Sequence, residues 1–126
     1  GQYVQDLYRR GTQAAFDLSE KGISKEMYTP PACRSMDLCR ATIEPGGSTG
    51  QELFVTGQGE QIGVVLKGSL ELWVGDRVML LNEGDSFCYA SSTPRRWRNP
   101  GSQTTEVIWA ISNITQPAGD DTQQAP

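Results

Sequence analysis

The segment Arg95-Arg96-Trp97-Arg98 has the residue types that can recognise a negatively charged group. A guanidinium presents a planar fork of donors that matches a carboxylate or phosphate, and an aromatic ring can stack on a base. Alternation along a strand would put Arg95 and Trp97 on one face and the other two arginines on the opposite face. This alternation would divide the basic patch between two faces, and the formal net charge of the chain is −4. For both reasons a nucleic-acid partner for the segment is not favoured.

The sequence contains no histidine. Imidazole is the usual ligand of zinc, iron or copper in mixed nitrogen and oxygen sites, and the usual general base near neutral pH. Three cysteines (Cys33, Cys39 and Cys88) cannot all pair within one chain, and an odd number suits a reducing, cytoplasmic compartment. We expect Cys39 and Cys88 to be small buried residues, since no histidine is available to lower a thiol pKa. No apolar run approaches the roughly 20 residues of a membrane helix.

The elements that must position these residues are predicted to be short strands separated by turns that contain Gly, Pro, Asn or Asp. The predicted strands are Gln13–Ser19, Ile23–Tyr28, Met36–Ile43, Glu52–Thr56, Gln61–Leu66, Leu70–Val74, Val78–Leu81, Ser86–Tyr89, Arg95–Arg98 and Glu106–Ser112. Such spacing is typical of all-β sandwiches and barrels. In Met36–Ile43 both faces are mixed, so the pattern leaves open which one faces inward.

A chain of 126 residues is most simply one domain. We expect residues 1–11 to be a linker or residual N-terminal segment and residues 12–113 to form the barrel. Residues 114–126 have almost no apolar side chains and are expected to be a disordered tail.

Three segments carry a resemblance to a known family. They are Glu60 to Leu72 (EQIGVVLKGSLEL), Asn82-Glu83-Gly84-Asp85-Ser86, and Pro94 to Gly101 (PRRWRNPG). Together they resemble the two motifs of the cupin superfamily. More closely, the chain is similar to the ligand-sensing cupin domain that follows a helix-turn-helix in bacterial transcriptional regulators of the xenobiotic-response-element type. The resemblance implies a cupin-type double-stranded β-helix, or jelly-roll barrel.

The same resemblance indicates where a cupin metal would be bound. The family's first motif supplies two histidines and a glutamate, and its second motif supplies a third histidine. The glutamate position corresponds to Gln61 and the last histidine position to Arg95, with the other two near Val55 and Gly57 or one residue earlier. Amide, aliphatic, glycine and guanidinium groups do not hold a transition metal, so the resemblance implies a barrel with no metal and no other cofactor.

The resemblance also suggests which residues line a ligand pocket. Arg95 stands where the family points a side chain into the barrel mouth, and Gln61 can donate and accept hydrogen bonds in the same cavity. The alternatives are an ion pair or solvation at the rim for Arg95, and an edge position for Gln61. Tyr89 and Trp97 are pocket candidates or simply core aromatics. Arg40 would be a second cationic contact or would point outward.

The function that the resemblance implies is a sensing domain for a small-molecule effector, which Arg95 would favour as an anion. DNA would be bound only through a helix-turn-helix absent from this chain, and the start at Gly1 is consistent with a truncation. Such regulators are usually dimers, so we expect a homodimer. One alternative is a metal-independent isomerase or lyase in which Tyr89 acts as acid and Arg95 holds a carboxylate. Another is a protein-binding cupin with no small ligand.

Overall fold

Nine β-strands and no α-helix form the part of the chain that the structure describes. The computed structural model describes Leu7, Arg9, residues 15–18 and residues 21–112. The strands are β1 (Ala15–Leu18), β2 (Ile23–Met27), β3 (Met36–Ile43), β4 (Glu60–Lys67), β5 (Leu70–Val74), β6 (Arg77–Leu81), β7 (Ser86–Ala90), β8 (Arg95–Arg98) and β9 (Thr105–Ser112). The prediction of an all-β jelly roll is confirmed.

The strands form two antiparallel sheets around one core. The larger sheet has the order β1-β2-β3-β9-β4-β7, and the smaller has the order β6-β5-β8. Alternate residues along a strand point into the core, as Leu70, Leu72 and Val74 of β5 do. From the larger sheet, Ile43, Val65 and Val107 are fully buried, so the two inner faces meet in a single apolar cluster.

One predicted strand is wrong. The segment Glu52–Thr56 forms a β-bridge at one residue, Phe54, whose N–H and C=O both bond to Arg95. Gly50 and Gly57 flank the segment with φ of 126° and 119°, a conformation that glycine adopts readily and that turns the chain away from a regular ladder. The segment is therefore a loop anchored at its centre to the start of β8.

Strand β3 shows which of its mixed faces is inward. Cys39, Ala41 and Ile43 are buried, whereas Met36 and Leu38 are exposed on the other face. Cys39 is thus buried as expected, and burial raises the pKa of its thiol to about 11. The expectation for Cys88 is wrong, because this residue alternates with the buried Phe87 and Tyr89 of β7 and is exposed.

Two predicted segments fall outside the described residues. Apart from Leu7 and Arg9, the linker of residues 1–11 is not described, and neither is the tail of residues 114–126. No helix long and apolar enough to cross a membrane occurs among the residues that the structure describes.

Candidate functional site

A cavity of about 250 Å³ opens between the two sheets. Its walls come from β2, β4, β7, β8 and β9 and from the loop that carries Phe54. The residues that line it are Ile23, Lys25, Thr49, Phe54, Thr56, Gln58, Gln61, Tyr89, Ser91, Arg95, Trp97, Trp109, Ile111 and Ser112. Four of the five residues predicted to bind a ligand are therefore brought together here.

Arg95 lies at the centre of this site and is 3% exposed. Its Nη1 donates to the backbone oxygen of Ser91 at 2.9 Å, and its Nη2 donates to Thr56 Oγ1 at 2.7 Å. The ring centroids of Phe54 and Tyr89 lie 4.6 and 5.0 Å from its Cζ, within the range of cation–π attraction. Its buried Nε–H has no acceptor among the described residues. The guanidinium is thus held in place while its Nε–H has no acceptor in the described part of the chain.

A chain of hydrogen bonds orients the other polar groups of the cavity. Trp97 Nε1 donates to the Tyr89 hydroxyl at 3.2 Å, and that hydroxyl donates to Gln61 Oε1 at 2.9 Å. Gln61 Nε2 donates to the hydroxyls of Thr56 and Ser91, both at 3.3 Å. Because each group has a partner, the network fixes Gln61 and Tyr89 in single orientations.

Burial raises the pKa of the Tyr89 hydroxyl, with the positive charge of Arg95 acting in the opposite direction. Tyr89 is therefore a neutral phenol at physiological pH. Its one proton is directed at Gln61, so donating it to a ligand would require this hydrogen bond to break.

Aromatic rings form the apolar wall beneath the polar groups. Phe87 stacks on Tyr89 with centroids 5.7 Å apart, and Trp97 meets Phe87 and Trp109 edge to face at 5.6 and 5.0 Å. Trp97 belongs to the smaller sheet and the other rings to the larger one. The same cluster thus joins the two sheets and shapes the cavity.

The two remaining arginines of β8 point away from the cavity. Arg96 Cζ lies 3.9 Å from the ring centroid of Trp73, and its Nε donates to the Gly50 oxygen at 2.8 Å. Arg98 pairs with Glu71 at 3.2 Å. The predicted division of the basic cluster is confirmed, and its outer members are engaged by neighbouring side chains.

Arg40 does not line the cavity, so its prediction as a ligand contact is wrong and the outward alternative is the one observed. It belongs to the outer face of β3, opposite Cys39 and Ala41, and forms an ion pair with Glu106 of β9. The hydrogen bond to Glu106 is the largest effect that raises the pKa of Arg40. Its guanidinium already has a carboxylate partner and lies on the wrong side of the sheet to reach a ligand.

The structure adds residues that the sequence analysis did not single out, above all Lys25, Thr56, Ser91 and Trp109. The alternation in β2 was a usable signal, because Ile23 and Met27 are apolar and Lys25 stands between them on the same face. Nothing comparable marks Thr56, which reaches the cavity from the loop.

Comparison with known protein families decides the identity of the fold. The Cupin domain family matches residues 39–111, which is more than half of the chain. The chain belongs to the cupin family.

Metal-dependent cupins hold their metal at four positions of the two motifs, and the residues at those positions in this cupin decide whether a metal fits. The first two histidine positions of the family correspond either to Val55 and Gly57 or to the residues one position earlier. Phe54 forms the β-bridge and Thr56 lines the cavity, which selects the earlier pair. The four positions are then Phe54, Thr56, Gln61 and Arg95. In that order, their side chains offer an apolar ring, a hydroxyl, an amide and a cation. Among the described residues no cluster of three or more His, Cys, Asp or Glu could hold a metal. This set does not fit a metal ion, and a guanidinium at its centre would repel one.

A curated protein similar to this cupin is a transcriptional regulator. The chain is 26% identical over 100 residues to the HTH-type transcriptional regulator PuuR of Escherichia coli, covering 79% of this chain and 53% of PuuR. It thus spans about half the length of the curated relatives it matches.

Among solved structures, the cupin domain of an XRE family transcriptional regulator from Enterobacter cloacae has a TM-score of 0.66 at 19% identity, covering 75% of this chain and 99% of that one. A sugar phosphate isomerase from Silicibacter pomeroyi has a TM-score of 0.63 at 14% identity, covering 74% and 60%. At these identities the structures show a shared fold.

Proposed function

We propose that this chain is the small-molecule-sensing domain of a bacterial transcriptional regulator, and that it binds a small anion without a metal ion. The observation that carries the proposal is the buried guanidinium of Arg95, which lines a cavity of ligand size with an unused Nε–H. Uncompensated buried charge is costly, and an anion in the cavity would supply the missing acceptor. Similarity to PuuR and to the XRE family cupin domain supports the regulatory role.

In this proposal DNA is contacted through a helix-turn-helix outside the present chain, and the protein acts in the cytoplasm. The cupin domain would report ligand occupancy to that DNA-binding part. Arg95 donates hydrogen bonds to Ser91 and Thr56, and the same two residues accept hydrogen bonds from Gln61. An anion that binds Arg95 would compete for the Arg95 donors and would therefore disturb the network, which supports this role.

A thermal-shift screen of small carboxylates and phosphates, run beside elemental analysis of the purified domain, tests the proposal. We expect at least one anion class to raise the melting temperature in a concentration-dependent way, because a ligand that binds only the folded state stabilises it. Elemental analysis is expected to find no stoichiometric zinc, iron or manganese. A stoichiometric metal inside the barrel would contradict the proposal.

The regulatory part of the proposal includes a homodimer, and the outer face of the larger sheet is the candidate contact. Leu38, Ile62 and Leu66 of this face are 42%, 61% and 44% exposed. We expect Ile62→Lys to raise the dimer dissociation constant about tenfold or more, since a charge at the centre of an apolar interface is poorly tolerated. Sedimentation velocity measures this, with Val78→Lys on the smaller sheet as a control of similar exposure. A monomeric wild-type chain, or an Ile62→Lys variant that dimerises normally, would contradict this contact.

The alternative function is a metal-independent isomerase or lyase, which the buried Tyr89 hydroxyl in the cavity and the similarity to a sugar phosphate isomerase favour. The two functions give opposite results for Tyr89→Phe. If the domain is a sensor, removing the hydroxyl leaves the ring packing intact and changes the affinity for an anion by less than about threefold, because Arg95 keeps its own partners.

If the domain is an enzyme, Tyr89→Phe abolishes turnover of a sugar phosphate or keto acid. Comparing binding by calorimetry with turnover by NMR separates the two functions. Turnover by the wild-type chain that disappears in Tyr89→Phe would establish the enzyme.

A further inference from the structure

The cavity contains a second cation, Lys25, which is separate from the network around Arg95. Lys25 lies on the inward face of β2 and lines the same cavity as Arg95. Its ammonium lies 5.6 Å from the ring centroid of Trp109. Among the described residues, no carboxylate forms an ion pair with Lys25 or with Arg95. Two cations thus share one small cavity, although the chain as a whole is acidic.

The electrostatics of the cavity favour an anion with more than one charge. Burial lowers the pKa of Lys25, and the positive charges of Arg95 and Lys21 add to this effect. Of the described residues that line the cavity, none is acidic. Glu52 borders an adjacent depression that Lys25 also touches but makes no ion pair with it. Mutual repulsion of two cations is relieved most by a ligand that gives each a negative partner.

Resting on the proposed function, we infer that the ligand of this site is a small dicarboxylate, with one carboxylate on Arg95 and the other on Lys25. The Nε–H of Arg95 and the ammonium of Lys25 supply donors from different strands, β8 and β2. The rings of Trp97 and Trp109 line the same cavity and contact each other, and such an apolar surface suits a short hydrocarbon linker. A cavity of about 250 Å³ is below the usual range for drug-sized ligands, so the linker is short.

Titration with paired probes tests this assignment. Succinate and glutarate are compared with butyrate, which has a single carboxylate. A linear diamine of the same chain length as succinate is the charge-reversed probe, and all titrations are run at constant ionic strength. Binding is followed by the indole N–H resonances of Trp97 and Trp109. We expect a dicarboxylate to bind about tenfold tighter than butyrate, which corresponds to about 1.4 kcal/mol, and the diamine not to bind.

Replacing Lys25 shows whether it causes the preference. Lys25→Met is expected to remove the dicarboxylate preference, so that the affinities for dicarboxylates and for butyrate become similar, and Lys25→Arg is expected to restore the preference. Lys67→Met, which removes one exposed charge at the end of β4, controls for net charge. Thermal melting of each variant verifies that it is folded.

The outcomes separate this inference from the proposed function. If butyrate and the dicarboxylates bind equally and both depend on Arg95, the role of Lys25 is wrong and the anion-binding sensor stands. A dicarboxylate preference that survives in Lys25→Met also overturns the role of Lys25. If no carboxylate perturbs the indole resonances but inorganic phosphate does, the inference is wrong and the anion-binding function stands. If neither perturbs them, both the inference and the anion-binding function are wrong.

Discussion

Arg95→Met is expected to weaken binding of a small carboxylate about 100-fold, or by about 2–3 kcal/mol. The substitution keeps a long apolar stem in the cavity and removes the charge together with the unused Nε–H donor. Isothermal titration calorimetry with the anion that gives the largest thermal shift measures the loss. Methionine also removes the donors to Ser91 and Thr56, so the melting temperature is measured in parallel.

Arg98→Met is the matched control for this experiment. Arg98 lies on the same strand, but its side chain points outward to Glu71. The two variants lose the same charge, so a nonspecific effect of net charge would weaken binding equally in both. Equal weakening, or full binding by a folded Arg95→Met variant, would contradict the role assigned to Arg95.

Trp97→Ala is expected to lower the free energy of unfolding by about 3–5 kcal/mol. Trp97 is 5% exposed and joins the sheets through ring contacts with Phe87 and Trp109. Truncation would leave a cavity at this junction and would remove the donor that bonds to the Tyr89 hydroxyl. Urea denaturation followed by circular dichroism measures the change.

Trp73→Ala tests whether the loss of unfolding free energy in Trp97→Ala is specific to the place where the two sheets meet. Trp73 alternates with core residues of β5 and contacts Arg96 on the outside of the smaller sheet. We expect its truncation to cost about 1 kcal/mol, the typical effect of a point mutation away from a packed core. Losses of similar size in the two variants would show that the aromatic cluster does not hold the sheets together.

The sequence was sufficient for the bounds of several strands. Met36–Ile43, Leu70–Val74 and Arg95–Arg98 were predicted with the bounds that the structure has. The orientation of Arg95 and Trp97 toward the interior also followed from alternation, once the family resemblance indicated which face points inward. Where period-2 patterning is strong, local sequence determines both the strand and its buried face.

Other features depended on contacts that alternation does not encode. Arg40 could not be placed from the pattern because both faces of β3 mix polar and apolar residues, and its pairing with Glu106 on β9 joins residues far apart in sequence. The loop around Phe54 has strand-like composition but pairs at a single position. Lys25 was overlooked since a lysine in a strand is usually solvated, whereas here the fold encloses it beside Trp109.

In the proposed function, Arg95 takes the place of the cupin metal as the group that binds a ligand. Observing the Nε–H resonance of Arg95 by nitrogen-15 NMR during titration with a carboxylate is the sharpest test of this role. We expect a saturable downfield shift as the buried donor gains an acceptor, with no metal in the sample. An Arg95 resonance that stays unchanged while a ligand binds elsewhere, or that responds only when a metal ion is added, would contradict it.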